Sequence, residues 1–158
     1  MYYTLTDTPA GTLLLMGDGK TVTGMHWEVF KRRPAVNPEW TEDKSVFSGA
    51  IQQLDEYFAG TRQAFDFDYA ISGTEFQMKV WQELEKIPYG ARSSYQAIAN
   101  TIGNPKAVRA VGTAVGSNPI SIIVPCHRVL TSMGKLGGYA GGLSSKMVLL
   151  DREAIAWS

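Results

Sequence analysis

The 158-residue sequence predicts an α/β N-terminal domain, a small antiparallel sheet plus one helix over residues 1–72, followed by a mainly α C-terminal domain over residues 73–158 that contains a helix-turn-helix. Three observations carry this reading. Short apolar runs separated by glycine turns fill the first thirty residues. A stripe of apolar residues at helical spacing follows. Past Gly73, two helix signatures are joined by Gly103-Asn104-Pro105.

Residues 2–6, 12–16 and 22–27 read as strands, with turns at Pro9-Ala10-Gly11 and Asp18-Gly19, so an antiparallel meander is expected. Residues 31–42, with Pro34 and Pro38, read as an irregular connection. Val46, Phe47, Ala50, Ile51, Leu54, Tyr57 and Phe58 place an amphipathic helix over residues 45–59, stopped by Gly60. Residues 65–69 alternate apolar and acidic side chains and suggest one more strand. No chemistry is visible in this half. His26 has no second His or Cys nearby and reads as a structural histidine.

Thr74 and Gln77 form a capping-box pair that opens a helix striped by Phe76, Val80, Trp81 and Leu84 and ending before Pro88. Ser93 and Gln96 open a short helix through Ile102 in the same way. Asn104 is expected to cap a third helix, with Pro105 in its first turn, that runs to Gly116. Ser121-Ile122-Ile123-Val124 reads as a short buried strand stopped by Pro125, and a last helix is expected over residues 144–154.

An apolar content of 44% and a charged content of 19% suit a soluble globular protein. No apolar run approaches a membrane span, and the N-terminus lacks the basic and apolar regions of a signal peptide. The single cysteine excludes an internal disulfide and fits a reducing compartment, so a cytoplasmic location is expected. The net charge is zero but unevenly spread: residues 1–70 hold six Lys/Arg against ten Asp/Glu, and residues 71–158 hold nine against five. Residues 87–150 contain six cations and no acid, which favours a phosphate backbone as partner. On charge alone, an asymmetric solvated surface explains this equally well.

Cys126 and His127 follow directly on Pro125, whose fixed φ gives the cysteine a rigid support. Thiolate is the reactive form of cysteine, and an adjacent base raises its population. In isolation the pair reads better as a small buried hydrophobe beside a hydrogen-bonded histidine, since free cysteine is among the most buried residue types. The third helix is built of small and apolar residues apart from Lys106 and Arg109, which suits a core helix or the close approach of another body. Arg109, on an otherwise apolar helix, must emerge at an edge or find a partner.

The wider pattern decides between these. Ile87-Pro88-Tyr89-Gly90, then Ser94-Tyr95, Arg109-Ala110-Val111-Gly112, Asn118-Pro119, Pro125-Cys126-His127-Arg128-Val129, and Gly138-Tyr139-Ala140-Gly141-Gly142 followed by Lys146, Leu149-Leu150 and Glu153, stand in that order. Over about residues 47–153 the chain resembles the O6-alkylguanine-DNA alkyltransferase family. The resemblance implies a ribonuclease-H-like N-terminal domain and a winged-helix-like C-terminal domain. It implies direct-reversal DNA repair: stoichiometric, irreversible transfer of an alkyl group from guanine O6 in duplex DNA to Cys126, after minor-groove binding and nucleotide flipping. O4 of thymine is left open as a second target. No cofactor and no metal are implied; with Cys126 the sole cysteine, the structural zinc of some relatives has no ligand set here.

Family positions also imply roles. Cys126 is the nucleophile, activated by His127, a bridging water and Glu153, while Asn118 braces the turn beside it. Tyr95 helps rotate the phosphate and hydrogen-bonds the leaving guanine. Arg109 fills the gap left in the base stack, with Lys106, Ala107, Ala110, Thr113 and Ala114 on the same DNA-facing helix. Val115, Val129, Tyr139 and Ala140 belong to the substrate pocket, where the Ala140 N–H and the carbonyls of Cys126 and Val129 read guanine. The implied partner is double-stranded DNA carrying O6-alkylguanine, with no membrane, bound by a monomer; clustering along DNA stays open. Met147-Val148 departs from the Glu-Trp of many relatives. Two other readings differ in class. A lesion-binding, alkyltransferase-like protein is opposed by Cys126, which such relatives lack; a Cys-His hydrolase leaves Arg109 and the helix-turn-helix unexplained.

Overall fold

Three strands and a fragment of a fourth build the N-terminal sheet in a computed structural model that describes all 158 residues. β1 (Tyr2–Thr8), β2 (Gly11–Gly17) and β3 (Val22–Trp27) pair antiparallel in sequence order, as the turn signals require. The connection after β3 is irregular as expected, except that it ends in β4 (Thr41–Glu42), which pairs parallel with β1. β2 is central, and its Leu13, Leu14 and Leu15 are all fully buried, so both faces of the sheet are covered. A short 3-10 turn, Lys44–Phe47, leads into α1 (Ser48–Ala59). Gly60 ends α1 with φ at 84°, a left-handed conformation glycine adopts without a Cβ penalty, and its N–H returns to the carbonyls of Glu56 and Tyr57.

The strand expected over residues 65–69 does not form. One bridge, Val22 to Tyr69, is all the pairing there is. Phe65, Phe67 and Tyr69 instead pack in series at 6.1 and 6.3 Å between centroids, so the alternation reports a row of rings on one side of an extended segment.

α2 (Glu75–Glu85) opens on the expected capping box: Thr74 Oγ1 accepts from the Gln77 N–H at 3.1 Å, and Gln77 Oε1 accepts from the Thr74 N–H at 2.9 Å. α3 (Tyr95–Thr101) is capped by Ser94 rather than Ser93. Ser93–Ser94 is instead a two-residue strand, β5, and Gln96 reaches forward to Asn100 and the Pro105 carbonyl. α4 (Val108–Gly116) starts later than Asn104 and Pro105 suggest. Residues 104–107 form a separate turn, closed by the Ala107 N–H on the Asn104 carbonyl at 2.9 Å, and Ala107 holds the N-cap position without a side-chain cap. β6 (Val129–Leu130) pairs parallel with β5, and α5 (Leu143–Arg152) closes the chain with Glu153 as its C-cap.

Residues 121–124 are also no strand. Ile120 bridges Met25 of β3, and the chain then turns at once, with Ile122 left-handed at φ 74°. Burial of Ile122 and Val124 comes from curling into the core rather than from pairing. Asn118 makes the turn possible: its Nδ2 donates to the Val124 carbonyl at 2.6 Å and its Oδ1 accepts from the Ile120 N–H at 3.0 Å. One core of 25 buried residues draws on both halves, joining Leu13, Trp27 and Tyr57 to Trp81, Val111 and Val129. Trp81 Nε1 donates to the Ala114 carbonyl at 2.8 Å and ties α2 to α4.

Replacing Thr74 by Ala removes the cap and is expected to destabilise the protein by about 1 kcal/mol, with Thr74→Ser near neutral. Urea unfolding of both variants checks this.

Candidate active site

Cys126 begins a 3-10 turn, Cys126–Arg128, immediately after the Asn118-braced loop. It is only 4% exposed, yet it lines a cavity of about 660 Å³, within the range that holds a small-molecule ligand. Around it stand Tyr95 at the start of α3, Val108, Arg109, Gly112 and Val115 on α4, and Asn118. Gly138, Tyr139 and Ala140 form a glycine-rich wall, and Val29 to Arg32, after β3, close the rim. The wall is held by the other half of the chain: Trp27 Nε1 donates to Tyr139 Oη at 3.0 Å, and their rings meet edge to face. Gly141 lies so near that indole that a Cβ there would come within 2.9 Å of it.

Behind Cys126, the turn sends His127 and Arg128 inward to Glu153. His127 Nε2 and Glu153 Oε2 are 2.6 Å apart, both side chains fully buried. Arg128 Nε donates to Oε1 at 2.7 Å and its Nη2 to Oε2 at 3.1 Å, a bidentate pair. Tyr57 Oη on α1 donates to Oε2 at 2.6 Å, and the Gly90 N–H donates to Oε1 at 3.2 Å. Burial alone would raise the Glu153 carboxyl, but hydrogen bonds from His127 and Arg128 and the charge of the Arg128 guanidinium outweigh it and hold the pKa at about 2. Glu153 is therefore an anion and can only accept.

Burial depresses His127, against the pull of Glu153. A neutral imidazole facing a carboxylate must carry its proton on Nε2. That leaves Nδ1 as a bare lone pair, and no protein group hydrogen-bonds it. Burial likewise pushes the Cys126 thiol up, opposed by hydrogen bonds with Asn118 and Tyr139 and by the Lys146 ammonium. Lys146 is fully buried on α5 and donates to the carbonyls of Val129 (2.8 Å), Leu136 and Gly138 (3.4 Å); burial brings it down to about 8. The arrangement can take a proton from a buried thiol and deliver the sulfur to a ligand in the cavity.

Of the residues singled out from sequence, Cys126, Tyr95, Arg109, Val115, Asn118, Tyr139 and Ala140 line one cavity. His127 and Glu153 meet behind it. Lys106, Arg109, Ala110 and Thr113 are exposed along α4 and its approach, and Ala107 is half-buried. Two expectations need correction. Ala114 faces the core, 3% exposed, so its side chain offers no surface to DNA. Val129 is fully buried outside the cavity lining, with its carbonyl engaged by Lys146. Sequence reasoning left Arg128 and Lys146 without roles, counted Tyr57 only as apolar, and missed the segment 29–32. The cue for Arg128 was an always-charged residue beside a buried motif, which must find an anion.

The 6-O-methylguanine DNA methyltransferase ribonuclease-like domain matches residues 1–71, and the DNA-binding domain of the same family matches residues 75–155. A methylated-DNA–protein-cysteine methyltransferase of Methanosarcina acetivorans is 48% identical over 153 residues, covering 97% of this chain and 98% of its own. One from Mycobacterium tuberculosis is 47% identical, covering 97% and 92%. The crystal structure of Mycobacterium tuberculosis OGT in complex with DNA is similar at a TM-score of 0.92 and 47% identity, over 98% of this chain and 93% of that one.

Glu153→Gln leaves the Arg128 guanidinium buried without its anion and is expected to cost about 3–5 kcal/mol. The depressed carboxyl stabilises the fold fully above its ordinary value of 4.5 and loses that contribution as pH falls toward about 2. The gap in Tm between wild type and variant is therefore constant above about pH 5 and narrows below it, as thermal unfolding across pH will register.

Proposed function

The chain belongs to the 6-O-methylguanine DNA methyltransferase family, and from that membership and the cavity geometry we propose that it repairs DNA by direct reversal, moving an alkyl group from guanine O6 to Cys126. The observation that carries this is a single cavity shared by the only cysteine and by the exposed Arg109 of α4, with the next residue, His127, paired to the buried Glu153. DNA binding and transfer belong to residues 73–158, and residues 1–72 supply support and part of the rim.

An O6-alkyl group inside a base pair is out of reach, so the nucleotide rotates out, at a cost of a few kcal/mol that is lower for a poorly paired lesion. α4 lies in the minor groove, and Arg109 enters the stack in place of the extruded base; Lys106, Ala110 and Thr113 follow the backbone. The base enters the cavity against Tyr139 and beneath Tyr95. His127 Nδ1 takes the thiol proton through one water, with Glu153 and Arg128 fixing the imidazole tautomer. The thiolate attacks the alkyl carbon in line: a carbon–sulfur bond forms, the carbon–O6 bond breaks, and its electron pair leaves with guanine. Tyr95 stabilises that charge by hydrogen bonding, and the proton held by His127 returns to the purine through solvent. A thioether does not hydrolyse, so each molecule acts once. We infer a cytoplasmic setting, where a reactive thiol stays reduced; no helix is long and apolar enough to cross a membrane.

Incubation with a duplex containing O6-methylguanine is expected to add one methyl group per molecule, which peptide mapping places on Cys126. Cys126→Ala gains none. Removing the general base in His127→Gln slows transfer by about 10²–10⁴-fold, while Arg109→Ala weakens reaction with duplex DNA far more than with free O6-methylguanine. Repeated turnover, or methyl on another residue, overturns the proposal.

A further inference from the structure

The proposed chemistry is confined to the C-terminal half, yet the acid behind it is held in part from the other half. Tyr57 lies on α1, 96 residues before Glu153, and its hydroxyl reaches Oε2, the oxygen that His127 also addresses. The side chain is completely buried, and its ring is enclosed by Phe58, Phe65 and Tyr89 at 5.1, 5.6 and 6.2 Å. The phenol cannot swing away to another acceptor. Burial and the neighbouring carboxylate keep its proton on in any ordinary solvent, so it is a permanent donor.

We propose that Tyr57 is a positioning residue for alkyl transfer: its hydroxyl occupies a lone pair of Glu153 Oε2 and so limits how strongly that oxygen draws the His127 proton. This rests on the reading of His127 as the base for Cys126. Every other group facing the pair is already committed. Arg128 and the Gly90 N–H take the remaining acceptor capacity of Glu153, Tyr89 Oη donates to the Arg152 carbonyl, and Lys146 on α5 adds only positive charge. Nothing else can replace the phenol. Without it Oε2 becomes a stronger acceptor, imidazolium is better stabilised, and Nδ1 stays protonated to a higher pH. The base is then blocked over a range where the wild-type protein works.

The test is Tyr57→Phe, which keeps the ring and removes the donor. Two pH profiles are measured between about pH 5 and 8 (the range in which histidine titrates): Cys126 alkylation by iodoacetamide, and methyl transfer from an O6-methylguanine duplex. The acid limb of both is expected to move up by about half a unit to one unit, a loss of roughly three- to tenfold on that limb that recovers at high pH. Leu54→Ala, on the same helix and equally buried, is the control for lost packing; it is expected to lower Tm and leave both limbs in place. Unmoved limbs in Tyr57→Phe, with or without a fall in Tm, overturn the proposal. So does an equal shift in Leu54→Ala. If wild type reacts with iodoacetamide but never with the duplex, the functional reading fails, and the iodoacetamide profiles still decide the role of Tyr57.

Discussion

A buried carboxylate holds this molecule together at the point where it works. Glu153 takes hydrogen bonds from the turn that carries the nucleophile, from the loop after α2 and from α1, so three remote segments converge on one pair of oxygens. A charge so far from water is tolerable only because Arg128 meets it with two parallel hydrogen bonds. The neutrality of that ion pair then allows His127 to remain uncharged beside it. Stability and the proposed chemistry rest on the same arrangement, viewed from the two sides of the Cys126–Arg128 turn.

The environment of the sulfur follows the same logic. A buried thiol resists ionisation, which protects it from adventitious oxidants, and of the three groups that lower its resistance Asn118 and Tyr139 line the same cavity while Lys146 is wholly buried. Asn118, Tyr139 and Lys146 each come from a segment whose shape other interactions dictate: a braced turn, a wall pinned by Trp27, and a helix whose lysine gathers three carbonyls.

Much of this was legible in the chain. The meander, the α1 stripe and the Thr74 cap are local features, and local chemistry dictated them. Motif order led to Cys126, His127, Arg109 and Glu153, although nothing local to Glu153 distinguishes it from any polar residue near a helix end. The misreadings share a cause. Residues 65–69 and 121–124 have strand composition, but their apolar side chains are covered, partly in a row of rings and more fully in an Asn-braced turn, by tertiary contacts and not by pairing. Asn104-Pro105 looked like a helix start, and the chain uses it for a separate turn. Tyr57 and Ala114 show the same limit at single positions: periodicity tells which face is inside, and cannot tell what waits there.

The contact between Gly141 and Trp27 has a consequence for how such a site can change. Any side chain at position 141 would displace the indole, and the indole anchors Tyr139, so three positions spread over more than a hundred residues are mechanically one. A variant that changes position 141 must alter the end of the third strand and the last loop in concert. Gly138, with open space where a Cβ would stand, and the exposed segment near Val29 are the cheaper places in the same cavity lining for new specificities to arise.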